Sequence, residues 1–280
     1  MRLAGIAESA EFVDDECTHE ALKCVYNCIF LHDGVKDYFE SHKGIQISCR
    51  WLQQSPLSLP VQFLLCRILF FMAVRRPDIV DLIMTCNLAS PMERILNENV
   101  DKLLAEPDMD TSQPINSVTV INEALKLLFS MTVTMEQKDT KENASIDSFK
   151  RSLVPIMKLV FRVPAPKPMP MTPPLSHAIH VLMQYPYEPM HEVWMADYES
   201  FVPIGTTLKD SRGYLVDTLT RRLQDTIDYL LPTGDPDHAA HSQHYNLDAA
   251  LSPIILVIRT LAHGDVSARA LFAQEMLPQR

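Results

Sequence analysis

Cysteine is the first residue type whose spacing suggests chemistry, because Cys24 and Cys28 stand one helical turn apart and a pair of thiolates can bind zinc. All six cysteines lie within the first 86 residues. No C-x-x-C pair or paired histidine motif completes a four-ligand zinc set around them. The first 16 residues carry several acids and no long apolar run, so we expect no secretory signal. The sequence therefore favours reduced thiols in the core over a metal site.

Histidine provides a second candidate ligand set, since His238, His241 and His244 follow one another at three-residue spacing. Three imidazoles on one helical face would suit zinc. The segment follows Pro232 and Gly234, however, and these residues favour a polar loop. We therefore expect a loop here and no bound metal.

Glycine is scarce, with 7 residues in 280, and no two glycines are closer than eight positions. A phosphate-binding P-loop or a dinucleotide-binding turn needs glycines roughly two to five positions apart. His177 and His180 have no recognisable nucleophile with a supporting acid beside them. We therefore predict that the chain is not an enzyme and that it has no cofactor.

Composition identifies a globular chain, with 47% apolar and 21% charged residues and a net charge of −10. An acidic chain without a basic stripe is not typical of a nucleic-acid-binding protein. The longest apolar stretch, residues 61–74, contains Gln62 and Arg67 and is too short for a membrane span. We predict a buried core helix there, no integral membrane segment and no nucleic-acid partner.

Apolar residues recur at helical spacing nearly everywhere, and no run alternates polar and apolar positions as a strand would. The motif EALK at 20–23 returns at 123–126, and similar segments start near 61, 175 and 247. Helical repeats of about 40–47 residues with loop insertions explain this spacing. We therefore predict an all-α fold, an α-solenoid of about five to six repeats in a single domain over 1–280. The predicted insertions are polar or proline-rich and lie near 97–116, 137–147, 163–174 and 233–245.

Six prolines fall within residues 163–174, which predicts an extended, polyproline-like segment. Such a segment can dock on an aromatic groove of another protein. It lies between two predicted helices of one array, which favours a simple connector over a recognition motif.

Five segments in this order resemble the synembryn family, named for resistance to inhibitors of cholinesterase. They are EALKCVYNCIF (20–30), FLLCRILFFMAVRRPD (63–78), EALKLLFS (123–130), HAIHVLMQYP (177–186) and LSPIILVIRTLA with RALFAQEMLPQR (251–262 and 269–280). None is a catalytic signature, and their order along nearly the whole chain carries the resemblance. The insert-rich form is similar to fungal members, and the family extends beyond this chain at both ends.

The resemblance implies an armadillo/HEAT-type superhelix that binds Gα subunits of heterotrimeric G proteins, either GDP-bound or nucleotide-free. Family members are folding chaperones for Gα and receptor-independent exchange factors, and their concave face takes the C-terminal helix of Gα. Such a factor binds the nucleotide-free partner more tightly and needs no nucleotide site of its own. Because family members continue past Arg280 into further Gα-contacting helices, we expect Gα binding here more than nucleotide exchange. A generic armadillo-type scaffold for an unrelated peptide is the alternative.

The resemblance also implies a groove site on the inner helices, formed by Asn27, Phe63, Arg67, Ser130 and Gln184. Asn27 offers two donors and two acceptor lone pairs to an incoming helix end, or else it ends its own helix. Phe63 supplies either apolar contact in the groove or core packing. Ser130 and Gln184 hold positions where the family often has Asn.

Arg67 stands in an apolar helix, so its guanidinium must either reach the groove or pair internally. A Gα C-terminal carboxylate is the partner in the first case, and Asp78 or Glu93 in the second. Lys23 and Lys126 recur at equivalent positions and are interpreted as surface lysines. We further expect a cytoplasmic monomer that reaches the cell cortex through Gα.

Overall fold

The computed structural model describes residues 12–106, 113–137, 149–167, 169–230 and 247–276. Within these ranges the chain forms α-helices, two short 3-10 turns and loops, and no β-strand occurs in them. The predicted all-α fold is confirmed. The chain divides into two compact units, Met1–Ser152 and Leu153–Arg280, which are described in turn.

Seven described α-helices and a 3-10 turn, Lys150–Ser152, build the first unit. The helices are α1 (Glu16–Leu31), α2 (Asp33–Ser41), α3 (Gly44–Leu52), α4 (Leu59–Ala73), α5 (Pro77–Thr85), α6 (Ala89–Ala105) and α7 (Ser117–Gln137).

Helix α4 lies at the centre of this unit because it is apolar on nearly every face. It packs against α1 on one side and against α7 on the other, although α2 and α3 separate α1 from α4 along the chain, and α5 and α6 separate α4 from α7. Helices α3 and α5 also contact α4, while α6 packs on α7. Each layer therefore covers the apolar face of the layer before it, which is the stacking order of an α-solenoid.

Local signals explain where several of these helices begin and end. Asp15 caps α1 by accepting a hydrogen bond from the Thr18 backbone N–H at 2.8 Å. Pro60 and Pro77 occupy the first turns of α4 and α5, where a missing N–H costs nothing. Asn87 has a positive φ of 52°, and this left-handed conformation separates α5 from α6.

The second unit contains six described α-helices and a 3-10 turn, Tyr198–Ser200. The helices are α8 (Leu153–Arg162), α9 (Leu175–Leu182), α10 (Tyr187–Asp197), α11 (Leu208–Leu230), α12 (Leu247–Gly264) and α13 (Val266–Met276). Helix α8 packs against α9, α10 and α11, and the last three helices pack on one another.

Two side chains of α11 complete the C-terminal end of α8. The buried guanidinium of Arg222 donates to the carbonyl oxygens of Val160, at 2.9 Å, and of Val163. Tyr214 donates its hydroxyl to the Phe161 carbonyl at 2.8 Å. The last carbonyls of a helix have no partner within the helix, so these donors satisfy groups that would otherwise be buried unpaired.

The structure changes some of the predicted segment boundaries. Helix α6 continues to Ala105, so the first part of the predicted insertion at 97–116 is helical. The segment 163–174 contains no helix over its described residues, and its Met171 is buried. Most of the predicted insertions 137–147 and 233–245 lie outside the described residues, as do the three histidines of the second one. The prediction of one domain stays a prediction.

The expectation that all the cysteines are core thiols is wrong for the first three. Cys17, Cys24 and Cys28 of α1 are exposed, whereas Cys49 and Cys66 are buried. Helix α1 is covered on one face by its neighbours, and these three side chains point away from that face. None of the helices in the described part of the chain is long and apolar enough to cross a membrane.

Candidate partner-binding site

The central helix α4 is buried except along one stripe. Positions at i, i+4, i+7, i+8 and i+11 lie on one helical face, and this face alone is partly open to solvent. We call it the α4 stripe; its members are Phe63, Arg67, Phe70, Phe71 and Val74. An aromatic surface with a single cation at its centre is therefore the part of α4 available to another molecule.

Arg67 joins three layers of the stack. Its Nη2 donates to the Tyr26 hydroxyl of α1 at 2.8 Å, and its Nη1 lies 3.3 Å from the Glu123 carboxylate of α7. The Arg67 side chain is 29% exposed, but its Nε is buried and has no hydrogen-bond partner among the described residues. Part of the hydrogen-bonding capacity of the guanidinium is thus unused.

Three aromatic rings surround the same guanidinium. Its central carbon lies 4.6 Å from the ring centre of Tyr26, 5.3 Å from that of Phe63 and 5.8 Å from that of Phe71. Phe63 and Phe71 stand one turn before and one turn after Arg67, so helix geometry alone places all three on one face. Cation–π attraction holds the charged group in place without neutralising it.

The charges around Arg67 sum to one positive unit. The Glu123 carboxylate is 5% exposed and also accepts from Lys126 Nζ, one turn along α7, at 2.9 Å. Its second oxygen, Oε2, is buried without a hydrogen-bond partner in the part of the chain that the structure describes. Two cations therefore share one buried carboxylate. The excess positive charge suits an incoming carboxylate or the carbonyl end of a helix.

The buried carboxylate also affects a neighbouring thiol. Burial first, and the negative charge of Glu123 second, raise the pKa of Cys66 to about 12. Cys66 therefore stays protonated at neutral pH and acts as a core side chain.

Apolar side chains at the end of α1 extend the aromatic surface. Phe30 is 57% exposed, and its ring lies 5.4 Å from that of Phe71 and 6.0 Å from that of Tyr26. Leu31 is also exposed, as is Val74 at the end of α4. Exposed apolar groups clustered in this way mark surfaces that bind other molecules.

The five predicted site residues fall at different places. Phe63 and Arg67 belong to the α4 stripe. Asn27 is exposed within α1, one residue after Tyr26, so it neither caps nor ends its helix. Ser130 is half-buried on α7. Gln184 lies beyond the end of α9 in the second unit, so it does not hold the helical position that the repeat pattern predicts.

The predicted internal partners of Arg67 are wrong. Asp78 pairs with Arg76 at 2.7 Å, and the carboxylate beside Arg67 belongs to Glu123 rather than Glu93. The interpretation of Lys126 as a surface lysine also needs correction, because it pairs with that buried carboxylate.

Sequence reasoning did not find Tyr26, Phe30, Phe71 or Glu123 as members of the site. One signal was available in the repeated EALK motif, whose acids pair with lysines three residues on. Glu20 bonds Lys23 at 2.6 Å, and Glu123 bonds Lys126 at 2.9 Å. Only the second acid is buried, which is what distinguishes the two copies.

A serine, a histidine and an aspartate meet near the start of α4, but they do not form a catalytic triad. The Asp14 carboxylate accepts from the Ser58 backbone N–H at 2.6 Å and from its hydroxyl at 2.7 Å. His19 uses the same nitrogen, Nε2, toward both Asp14 and Ser58, whereas a triad needs two different ring nitrogens. No group of three or more potential metal ligands occurs among the residues described.

The stacked helices and the partly open, cation-centred stripe define the class of protein as a helical-repeat protein with an exposed aromatic surface. The sequence pattern of the family described as guanine nucleotide exchange factor synembryn matches residues 3–280. The chain therefore belongs to the synembryn family of guanine nucleotide exchange factors. None of the curated proteins compared with the chain matches it.

Solved structures with similar helix arrangements include a designed armadillo repeat protein in complex with the peptide (KR)4. It is 11% identical, with a TM-score of 0.49, and the match covers 93% of this chain and 100% of that one. An engineered protein from a structural genomics consortium is also 11% identical, with a TM-score of 0.47 and coverage of 93% and 98%.

Proposed function

We propose that this chain binds Gα subunits of heterotrimeric G proteins, as a folding chaperone and a receptor-independent guanine nucleotide exchange factor. Membership in the synembryn family over residues 3–280 is the observation that carries this proposal. In it, the α4 stripe receives the C-terminal helix of Gα, and Asn27 and Ser130 of the same unit add polar contacts. Gln184, in the second unit, is proposed separately as a Gα contact.

The electrostatics of the site support a helix C-terminus as the bound element. A helix ends in carbonyl oxygens without partners and carries a partial negative charge there, to which a chain-terminal carboxylate adds a full one. The Arg67 side chain is partly exposed, and the site has one excess positive charge. The two are complementary, although the chain as a whole has a net charge of −10.

The apolar surface supports the same occupant. An amphipathic helix binds a groove through apolar residues on one face, spaced by three or four positions. The rings of Phe30 and Phe71 and the side chain of Val74 provide such a surface beside the cation.

An exchange factor of this kind acts through binding alone. If the chain binds nucleotide-free Gα more tightly than GDP-bound Gα, it weakens GDP binding by the same factor. Holding the same open state would also protect newly made Gα before nucleotide enters. The chain itself then needs no nucleotide site. We place this activity in the cytoplasm, with a monomer reaching the cell cortex through Gα.

Binding of a labelled peptide from the C-terminal helix of Gα, followed by fluorescence anisotropy, tests the site. The variant Arg67→Lys keeps the charge but loses the planar fork of donors, and Phe30→Ala removes an exposed ring. We expect each to weaken binding about tenfold, or about 1.4 kcal/mol. Ile204→Ala, in the second unit, is the matched control because Ile204 is fully exposed.

Affinities within twofold of the parent chain for both variants, with unchanged melting temperatures, would show that the site is wrong. Equal affinity for a scrambled peptide would favour the generic scaffold. Exchange is tested with full-length Gα: excess GDP should displace the chain, and the chain should speed GDP release. If GDP has no effect on the complex, binding is not coupled to the nucleotide.

A further inference from the structure

All six described helices of the second unit line one pocket, whose residues fall between Met157 and Ala268. The pocket has about 580 Å³ of empty space when the open solvent at its mouth is included. The volume open to the centre of a water molecule is only about 30 Å³. This is room for about two waters, so the inner part of the pocket fits a narrow chemical group.

The floor of the pocket is apolar. Phe161 and Trp194 are buried there, with ring centres 5.0 Å apart. The Trp194 Nε1–H is already used, because it donates to the Ser211 hydroxyl at 3.2 Å. Three methionines complete the lining: Met157, Met190 and Met195. Methionine is unbranched and flexible, so these walls can adjust to an unbranched aliphatic chain.

The mouth of the pocket offers hydrogen-bond donors. Arg212, Tyr187 and His191 line it, and each of them is partly exposed. The rings of Tyr187 and His191 pack together, with their centres 5.1 Å apart. A guanidinium, a phenol and an imidazole at one opening suit a ligand group that accepts hydrogen bonds.

Asp265, the one acid among the lining residues, is already engaged by the protein. Its Oδ1 accepts from the backbone N–H groups of Ser267 and Ala268 at 2.8 and 3.0 Å. Its Oδ2 lies 2.8 Å from Arg212 Nε, and the Tyr187 hydroxyl reaches it only at 3.4 Å. The Arg212 side chain is 35% exposed, so its outer nitrogens can reach an acceptor outside the fold.

We propose that this pocket binds a free fatty acid, with the aliphatic chain on the methionine-lined floor and the carboxylate at Arg212, Tyr187 and His191. The chain gains free energy by leaving water, and the carboxylate gains a charge-assisted hydrogen bond from the guanidinium. The narrow interior favours one unbranched chain over the broader backbone of a peptide. The site lies within the second unit and does not depend on the proposed Gα function.

Trp194 can report whether the pocket is occupied. The chain has two tryptophans, so Trp51→Phe in the first unit leaves Trp194 as the only one. We titrate this full chain with octanoate at neutral pH and follow the fluorescence of Trp194. We expect a saturable change with a dissociation constant of about 1 mM or below. Octanol lacks the charge and octylamine is a cation, so each should bind at least about tenfold more weakly.

Arg212→Gln separates recognition of the carboxylate from support of the fold. It should weaken octanoate binding about tenfold and leave octanol binding within about twofold. A purely structural role of Arg212 would weaken both ligands equally. Lys209→Gln is the matched control, because Lys209 is an exposed cation of the same helix that does not line the pocket. It should leave octanoate binding unchanged.

Three results would overturn the proposal. One is octanol binding as tightly as octanoate, and another is an equal loss of both ligands in Arg212→Gln. The third is tighter binding of N-acetyl-leucine, which would assign the pocket to the C-terminal residue of a protein. Calorimetry with octanoate, octanol and octylamine on the unmodified chain needs no substitution, so the test stays decisive even if a variant unfolds.

Discussion

At the level of single residues, the environment of Arg67 depends on one buried acid. Glu123 is 5% exposed and carries both Arg67 and Lys126, which are about one-third exposed. A carboxylate removed from water in this way is stable only because it is paired, and the cations lose their fixed positions without it. The local geometry of the α4 stripe therefore rests on a side chain from another helix.

We expect Glu123→Gln to destabilise the first unit by about 1–2 kcal/mol, because the neutral amide leaves two partly buried cations without a counter-charge. Glu20→Gln is the matched control. It changes the equivalent acid of the other EALK motif, whose pair with Lys23 is exposed, and should cost less than about 0.5 kcal/mol. Urea unfolding measures both; equal effects of the two substitutions would contradict this assignment.

At the level of helices, several ends are completed by side chains that are distant in sequence. Arg222 and Tyr214 of α11 satisfy the last carbonyls of α8. Asp14, ahead of α1, accepts from the residue that precedes α4. Pro60 already removes one N–H of that first turn, and Ser58 has no capping hydrogen bond of its own.

We expect Arg222→Met to cost about 2–3 kcal/mol of unfolding free energy. The stem of the side chain is kept, but the carbonyls of Val160 and Val163 lose their donors inside the protein. Arg221→Met is the neighbouring control, since Arg221 is exposed and, among the described residues, pairs only with Asp217 of its own helix. Its effect should stay below about 0.5 kcal/mol in the same denaturation assay. A cost for Arg222→Met as small as the control's would mean that water replaces the guanidinium.

The stability that the hydrogen bonds from Ser58 to Asp14 give to the start of α4 should depend on pH. Burial acts to raise the pKa of Asp14, but hydrogen bonds from Ser58 and His19 outweigh it, so the pKa is lowered in the fold. A lowered carboxyl pKa gives stability that is present above the unfolded value of about 3.9 and is lost as the pH falls through the folded value.

We therefore expect Asp14→Ala to lower the melting temperature at pH 6. This difference should shrink below about pH 4, where the parent chain begins to lose the same contacts by protonation. Thermal unfolding at several pH values measures the gap. A melting-temperature difference that stays constant or grows at acid pH would show that the charge of the Asp14 carboxylate does not stabilise the fold.

At the level of the whole chain, periodicity predicted the long helices well. The buried helix predicted at 61–74 coincides with α4 to within a residue or two, and the segment predicted to start near 247 is α12, since an apolar stripe must face a neighbouring layer. The partner of Arg67 could not be predicted in this way. Glu123 is 56 residues away from Arg67 in sequence. Which acid faces the guanidinium depends on the register in which α4 and α7 pack.

The sequence also could not show which face of α4 stays open to solvent. Apart from Arg67, the members of the α4 stripe are as apolar as the buried positions beside them, so composition does not separate the two. What separates them is which faces α1 and α7 cover, and only the stacking decides that. The same reason accounts for Gln184, since a repeat pattern counts residues but does not fix where α9 ends.

Lys126 provides a second counter-ion, besides Arg67, for the buried Glu123 carboxylate. If a partner's carboxylate binds at Arg67 as proposed and draws the guanidinium toward itself, the Glu123 carboxylate keeps its contact with the Lys126 ammonium one turn away. The Glu123 carboxylate would therefore stay paired while the partner is bound, and the Arg67–Glu123 pair would form again when the partner leaves. Binding of the partner at the proposed site would then be reversible without leaving an unpaired charge inside the protein.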